Sequence, residues 1–220
     1  MTTTALRPTT GTRSRREWWI PASLLALTFV PVLAGALRVA DLAAGEPDAA
    51  SQRFFDSPLP VVVHVVGATT YCILGAFQLM PSFRRRRPGW HRRSGRVLVP
   101  AGLAAATSGL WMTVAYPLPE HDNAALMVLR LLFGGLMVLG LVRGVVAIRR
   151  GDVRAHQRWM ARAYAVAQGA GTQALVLGPM VVVVDQPGGG LKAAGMGFAW
   201  VLNLVVAEWL VRRGQSRRRV

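Results

Sequence analysis

Six long apolar runs are the feature that most constrains this chain of 220 residues. A helix that crosses the hydrocarbon core of a bilayer needs about 20 mostly apolar residues, at a rise of about 1.5 Å per residue. Strands are a poor alternative because the runs are too long and show no strict alternation. The sequence therefore predicts an all-α, polytopic transmembrane bundle of about six helices, at 18–40, 59–80, 97–116, 124–148, 159–184 and 193–211.

The distribution of charge predicts how this bundle is oriented. Of the 26 Lys and Arg residues, 20 lie in segments that would share one side, namely 1–17, 81–96, 149–158 and 212–220. The segments expected on the other side hold only Arg53 and Lys192, with seven of the ten acidic residues. Cytoplasmic loops collect Lys and Arg. The pattern predicts a multi-pass protein with both termini in the cytoplasm, and it accounts for most of the net charge of +16 without nucleic acid. The expected location is the bacterial cell membrane.

The two ends of the chain differ from the bundle at 18–211. Residues 1–17 read as a disordered, basic cytoplasmic leader, and residues 212–220 as a basic cytoplasmic tail. Their arginines are expected near anionic lipid headgroups at the cytoplasmic face. The bilayer is thus the expected partner, and a homo-oligomer or a membrane-complex partner stays open. The first span also resembles a signal peptide, but its apolar stretch is longer than a usual signal core, which favours its retention.

Two arginine-rich loops carry a similar motif. The first reads RRRRPGWHRRSGR and contains His91 and Arg93; the second reads RRGDVRAHQRWMAR and contains His156 and Arg158. The two loops could reflect a parallel repeat about an axis along the membrane normal, which would bring His91 and His156 together. Shared composition alone could also explain the likeness.

The same segments carry a resemblance to a known bacterial family. His64 in VVVHVVGATTYCILGAFQLM, the segment HRRSGR and the segment HQRWMARAYA together resemble the predicted membrane proteins catalogued as domain of unknown function 2306, over residues 59–184. The resemblance implies a polytopic membrane protein and brings no established activity. The chemistry must therefore be argued from the residues.

The first functional hypothesis is a b-type haem protein that transfers electrons. Polar groups inside hydrocarbon are costly and are functional candidates by default, and neutral imidazole is a common ligand of haem iron. The candidate cofactor-binding residues are His64, His91 and His156, with Arg130, Arg93 and Arg158 as contacts for a propionate or a substrate. The competing interpretation is that the histidines hydrogen-bond loop carbonyls or a neighbouring helix.

Two further hypotheses remain open. In a small transporter or channel-like protein, Arg130 would hold an anionic substrate, and Glu208 would pair with Arg143 or Arg162 as an inner gate. An accessory or assembly factor of a membrane complex is the other. The chain shows no hydrolase, kinase or metalloprotease motif. We expect no protein-bound metal ion beyond haem iron, because Cys72 is the single cysteine and no metal-ligand spacing is present.

Overall fold

The structure is a computed structural model that describes residues 17–45, 47–48, 51–119, 122–184 and 188–216. Within these ranges the chain is helical apart from short connections, and six helical segments are long and apolar enough to cross a membrane. The predicted all-α bundle with six spans is therefore confirmed. The leader up to residue 16, the last four residues of the tail and His121 lie outside the described residues.

The described residues form nine helices, which we number in chain order. Three are short: α2, α4 and the half-span α7. The bounds are α1 Trp19–Ala44, α2 Gln52–Asp56, α3 Pro58–Gln78, α4 Pro81–Arg86, α5 Pro88–Ala115, α6 Ala124–Arg149, α7 Val153–Ala167, α8 Gly169–Val184 and α9 Gly189–Ser216.

The spans pack in a closed arrangement around the fifth span, which consists of α7 and α8. Helix α3 packs between α1 and α5, and α6 packs between α5 and α7. Helix α9 contacts α6, α7 and α8, while α1 closes the arrangement against α8. We call the end of the bundle with α4 and the α6–α7 connection the arginine-rich face. The opposite face holds the ends of α1, α5 and α8 and the starts of α3, α6 and α9.

Helix α5 begins earlier than the hydropathy pattern indicated. Its first residue is Pro88, whereas the apolar run begins at Val97. Proline suits the first turn of a helix because its missing N–H would have no partner there. The segment HRRSGR therefore continues the third span as helix and does not form a loop, which places His91 in the first turns of α5 at the arginine-rich face.

Close helix contacts in the core depend on glycine. Gly67 of α3 lies so near α5 that a Cβ there would stand 2.8 Å from the carbonyl oxygen of Ala101. A Cβ at Gly140 of α6 would likewise stand 3.3 Å from the carbonyl oxygen of Trp159 on α7. Small residues allow such approaches in membrane bundles, where dispersion contacts drive packing. These contacts identify the two glycines as packing residues.

The fifth span, predicted as one helix, is interrupted in its middle at Gln168. The amide of Gly171 donates to the carbonyl of Gln168 at 3.1 Å, a bond to the residue three positions back. The carbonyl of Ala165 accepts a hydrogen bond from Asn203 Nδ2 at 3.2 Å. Backbone groups freed inside a membrane must find such partners. The interruption divides the span into α7, on the side of the arginine-rich face, and α8, on the side of the opposite face.

A buried polar network stabilises this interruption. The hydroxyl of Tyr164 donates to the carbonyl of Cys72 on α3 at 2.7 Å and accepts from Gln168 Nε2 at 2.8 Å. Gln168 also hydrogen-bonds Thr28 of α1, at 3.0 Å from its Nε2 to the threonine hydroxyl. Buried polar groups that are fully satisfied fix a unique arrangement. The network thereby holds α1, α3 and the fifth span in register.

Candidate functional site

A cavity of about 410 Å³ lies in the half of the bundle nearer the opposite face. Residues of α3, α5, α6, α7, α8 and α9 form its walls, and α2 with residues 116–119 forms its outer end. Its volume lies within the range of small-molecule sites, roughly 300–1,000 Å³. The walls are mainly apolar and include Leu110, Met112, Met137, Val166, Met196 and Trp200.

His64 of α3 presents its ring to this cavity. Its Nδ1 lies 2.8 Å from the carbonyl oxygen of Ala105 on α5. A carbonyl only accepts hydrogen bonds, so Nδ1 carries the proton and Nε2 keeps its lone pair in the neutral ring. The ring packs on Gly109, where a Cβ would lie 3.2 Å from two ring atoms. The expected hydrogen bond to a neighbouring helix is thus present, and one nitrogen remains available.

Gln173 of α8 carries an unpaired donor in the same cavity. The residue is only 8% exposed, and its Nε2 has no hydrogen-bond partner among the residues that the structure describes. It lines the cavity. Buried side-chain amides are nearly always hydrogen-bonded, since leaving one unpaired costs about 1–3 kcal/mol. An unpaired amide N–H in an apolar cavity points to a ligand with an acceptor.

The cavity mouth, defined by Arg53, Tyr116 and Arg130, is held by a buried ionic cluster. The Asp122 side chain is fully buried and accepts from Arg130 Nη1 at 2.7 Å and from Lys192 Nζ at 2.5 Å. Burial opposes ionisation of Asp122, but the hydrogen bonds from Lys192 and Arg130 outweigh it and hold its pKa below the usual value. One carboxylate therefore links the start of α6 to the start of α9.

Arg53 adds a third cation at the mouth. Its guanidinium lies 4.7 Å from the ring centroid of Phe54, a cation–π contact. Partial burial lowers the pKa of Arg53; Asp122 opposes this, and the positive charge of Arg130 adds to it. Arg53, Arg130 and Lys192 thus surround a single buried carboxylate, which leaves the mouth with a positive charge.

Arg130 was a candidate site residue from the sequence, but the roles of Arg53 and Lys192 were not anticipated. Arg53 and Lys192 appeared only as the two exceptions in an otherwise acidic set of loops, and Asp122 only as one of the acids. The scarcity of Lys and Arg in these loops was nonetheless a signal. Topology accounts for cations in cytoplasmic loops, so the two cations on the opposite face need another explanation. The structure brings both to the cavity mouth.

The other predicted site residues lie at the arginine-rich face. His156 Nδ1 lies 2.9 Å from the carbonyl oxygen of Gly144, and the His156 and His91 rings are near enough to interact electrostatically. Arg93 and Arg158 are exposed there. Gln78, which hydrogen-bonds the backbone of His91, lies 14 residues beyond His64 on α3, a rise of about 21 Å. His64 therefore belongs to a separate site, with Arg130.

Glu208 pairs with Arg162, as the transporter hypothesis expected. It accepts from Arg162 Nη2 at 2.8 Å and from Arg212 Nε at 3.2 Å. The pair with Arg162 is confirmed, and it joins α7 to α9 near the arginine-rich face. No cluster of three or more His, Cys, Asp or Glu suited to a metal ion occurs within the described ranges.

These features define a six-span membrane protein with an apolar cavity and a cationic mouth in one half of the bundle. The chain belongs to the family described as predicted membrane protein (DUF2306), whose model matches residues 61–211. No curated protein and no solved structure matches it significantly.

Proposed function

We propose that this protein binds a small amphipathic organic anion in its cavity and acts as a small transporter or membrane binding protein. The observation that carries the proposal is the combination of apolar walls with a mouth of three cations and one carboxylate. The anionic group would replace or share Asp122 as the partner of Arg53 and Arg130. The apolar body would fill the space lined by methionines and Trp200.

The unpaired amide of Gln173 supports a ligand with a second polar atom. A carbonyl or ether oxygen deep in the cavity would accept from Nε2, and a hydroxyl would donate to His64 Nε2. Small-molecule sites commonly combine apolar walls with a few polar groups that fix orientation. The proposed ligand therefore has an acidic end and an acceptor within its apolar part.

The interrupted fifth span supports transport over static binding. Val166, Ala167 and Ala170 flank the interruption and line the cavity. Discontinuous helices beside a substrate site are typical of secondary transporters. We place the arginine-rich face in the cytoplasm of a bacterial cell, on the charge asymmetry alone. In that orientation the cavity opens away from the cytoplasm.

Replacing Gln173 with leucine tests the cavity as a ligand site. The protein would be labelled in nanodiscs with a diazirine derivative of a long-chain oxo fatty acid, which carries a carbonyl in its apolar chain, in competition with that acid or the corresponding alcohol. We expect wild-type label on cavity-wall peptides and stronger competition by the acid than by the alcohol. Loss of one hydrogen bond should weaken binding to Gln173→Leu roughly fivefold to tenfold, while its stability should stay equal or rise.

The matched control for Gln173→Leu is Gln168→Leu on the same span. Gln168 is hydrogen-bonded to Tyr164 and Thr28, so its replacement should lower stability by about 1–3 kcal/mol. Absence of specific label on the cavity wall would overturn ligand binding there. Equal competition by acid and alcohol would overturn the assignment of an anion.

Haem b is a second candidate, favoured by the geometry of His64. Iron-ligating histidines usually donate their other ring N–H to a carbonyl or carboxylate, and His64 does so to Ala105. Arg53 and Arg130 would neutralise propionates, and Met112, Met137 or Met196 could supply a thioether ligand. Bound haem would give the chain a one-electron redox centre. Under this proposal His64 would hold the haem iron, and His91 and His156 would not.

An absorption spectrum separates the two candidates. Haem binding predicts a Soret band and sharp reduced α and β bands from protein expressed with ample haem, and their loss in His64→Leu. His156→Leu is the control and should keep the bands. A featureless visible spectrum would exclude haem and leave the organic anion.

A further inference from the structure

A second polar cluster lies at the arginine-rich face, where α3, α4 and α5 meet. Gln78 Nε2 donates to Ser94 Oγ at 2.6 Å and to the carbonyl of His91 at 3.3 Å. Ser94 Oγ in turn donates to the carbonyl of Trp90 at 2.7 Å. These bonds fix the amide orientation, since Ser94 Oγ must accept from Gln78. The oxygen of Gln78 therefore points elsewhere.

Three buried polar atoms in this cluster lack a partner. They are Gln78 Oε1, Ser82 Oγ and His91 Nδ1, and only one other buried side-chain atom, in Gln173, shares this condition within the described ranges. Ser82 is 7% exposed. Its backbone amide donates to Glu17 at 2.7 Å while its hydroxyl stays unpaired. Unpaired buried groups are rare in native proteins, and three in one cluster indicate a site for a polar ligand.

The charge around the cluster defines the sign of that ligand. Arg84 and Arg92 are near enough to act electrostatically on His91, and Arg85 lies 3.9 Å from Glu17. The surrounding segment 84–96 carries seven arginines and no acid. An anion is therefore the expected ligand. The cluster lies at the end of a transmembrane helix, and lipid phosphates lie at that depth in a bilayer.

Aromatic contacts order the segment that carries the cluster. Phe83 and Trp90 pack edge to face with ring centroids 4.8 Å apart, and Phe77 contacts both at 6.4 Å. Such contacts order a segment that its arginines alone would leave solvated. The unpaired atoms therefore lie on an ordered segment.

We propose that this cluster binds a phosphate group that carries its own hydrogen-bond donor, as a phospholipid headgroup or as free phosphate. Ser82 Oγ and His91 Nδ1 donate to phosphate oxygens, and Arg84 and Arg92 supply charge. Gln78 Oε1 accepts from a hydroxyl or ammonium of the same ligand. The site is independent of the cavity, about 21 Å away along α3, and does not rest on its proposed function.

Stability measurements on full-length, delipidated protein in detergent test this site. The added probes are phosphatidylglycerol, phosphatidylcholine and inorganic phosphate. We expect phosphatidylglycerol to raise the unfolding temperature of the wild type more than phosphatidylcholine does. The double variant Ser82→Ala/His91→Leu should have an apparent Kd for phosphatidylglycerol that is at least roughly a hundredfold higher, because two hydrogen bonds to a charged group are lost. Arg93→Gln, which removes an exposed charge from the same segment, should change it less than threefold.

The outcomes are distinguishable. A response to inorganic phosphate that is lost in the double variant would support the site with free phosphate as ligand. Equal responses to the two lipids, or unchanged affinity in the double variant, would overturn the proposal. Without lipid, Ser82→Ala alone should unfold no earlier than the wild type, because it removes an unpaired buried hydroxyl. That measurement guards against a binding loss caused by misfolding.

Discussion

Simultaneous replacement of Arg130 and Lys192 by methionine should lower the free energy of unfolding by about 3–5 kcal/mol at pH 7, because it leaves a buried carboxylate without a partner. Asp122 is fully buried and both cations bind it directly. Each single replacement leaves one partner and should cost less than half as much. Urea unfolding in detergent micelles, followed by tryptophan fluorescence, measures all three variants.

The triple variant that adds Asp122→Asn is the control for this prediction. It removes the unpaired charge and should recover most of the lost stability. If the double variant is as stable as the wild type, or if Asp122→Asn brings no recovery, the ionic cluster does not hold α6 and α9 together. Strict additivity of the single effects would also contradict it, since residues that share one partner should couple.

Acidification offers a second view of the same cluster. The folded protein holds the pKa of Asp122 below its usual value. Its stabilising contribution is therefore fully present above the unfolded pKa of about 3.9 and is lost as the pH falls through the lower folded pKa. In Asp122→Asn this acid-dependent part should be absent.

The six spans could be predicted from the sequence because bilayer thickness and apolar length are directly linked. The start of α5 could not, since RRSGR carries no hydropathy signal, and its helix follows from Pro88 and from packing on α3 and α4. The interruption at Gln168 also could not be predicted from the sequence. It arises because Gly169 and Gly171 admit Trp200 and Leu27 so closely, which is a tertiary effect.

The candidate site was only partly predictable, for the same reason. His64 and Arg130 were recognisable as polar groups inside apolar runs. Asp122, Arg53 and Lys192 come from three separate segments, and no local pattern shows that they converge. The grouping of His64 with His91 and His156 reflected motif likeness, whereas the structure separates them along α3. Position in the bundle therefore defines the sites here better than residue type.

Replacing Gly171 with alanine should lower the free energy of unfolding by about 3 kcal/mol, at the upper end of the cost of overpacking. A Cβ at this position would overlap the carbonyl oxygen of Leu27 on α1, and a backbone atom cannot rotate away as a side chain can. Helix α1 would have to separate from α8. Thermal unfolding in detergent would show the loss as a lower midpoint.

Gly135→Ala is the matched control, since it lies inside α6 and a Cβ there meets nothing within 4 Å. Its stability should stay equal or rise by up to about 1 kcal/mol, because alanine favours helix. Gly171 is two residues from Gln173, so displacement of α8 should also weaken labelling of the cavity by the oxo fatty acid derivative. Lost stability with unchanged labelling would mean that the contact between α1 and α8 supports the fold without positioning the cavity amide. If Gly171→Ala is as stable as the wild type, α1 can shift without cost. The close contact between α1 and α8 would then not fix the position of α8.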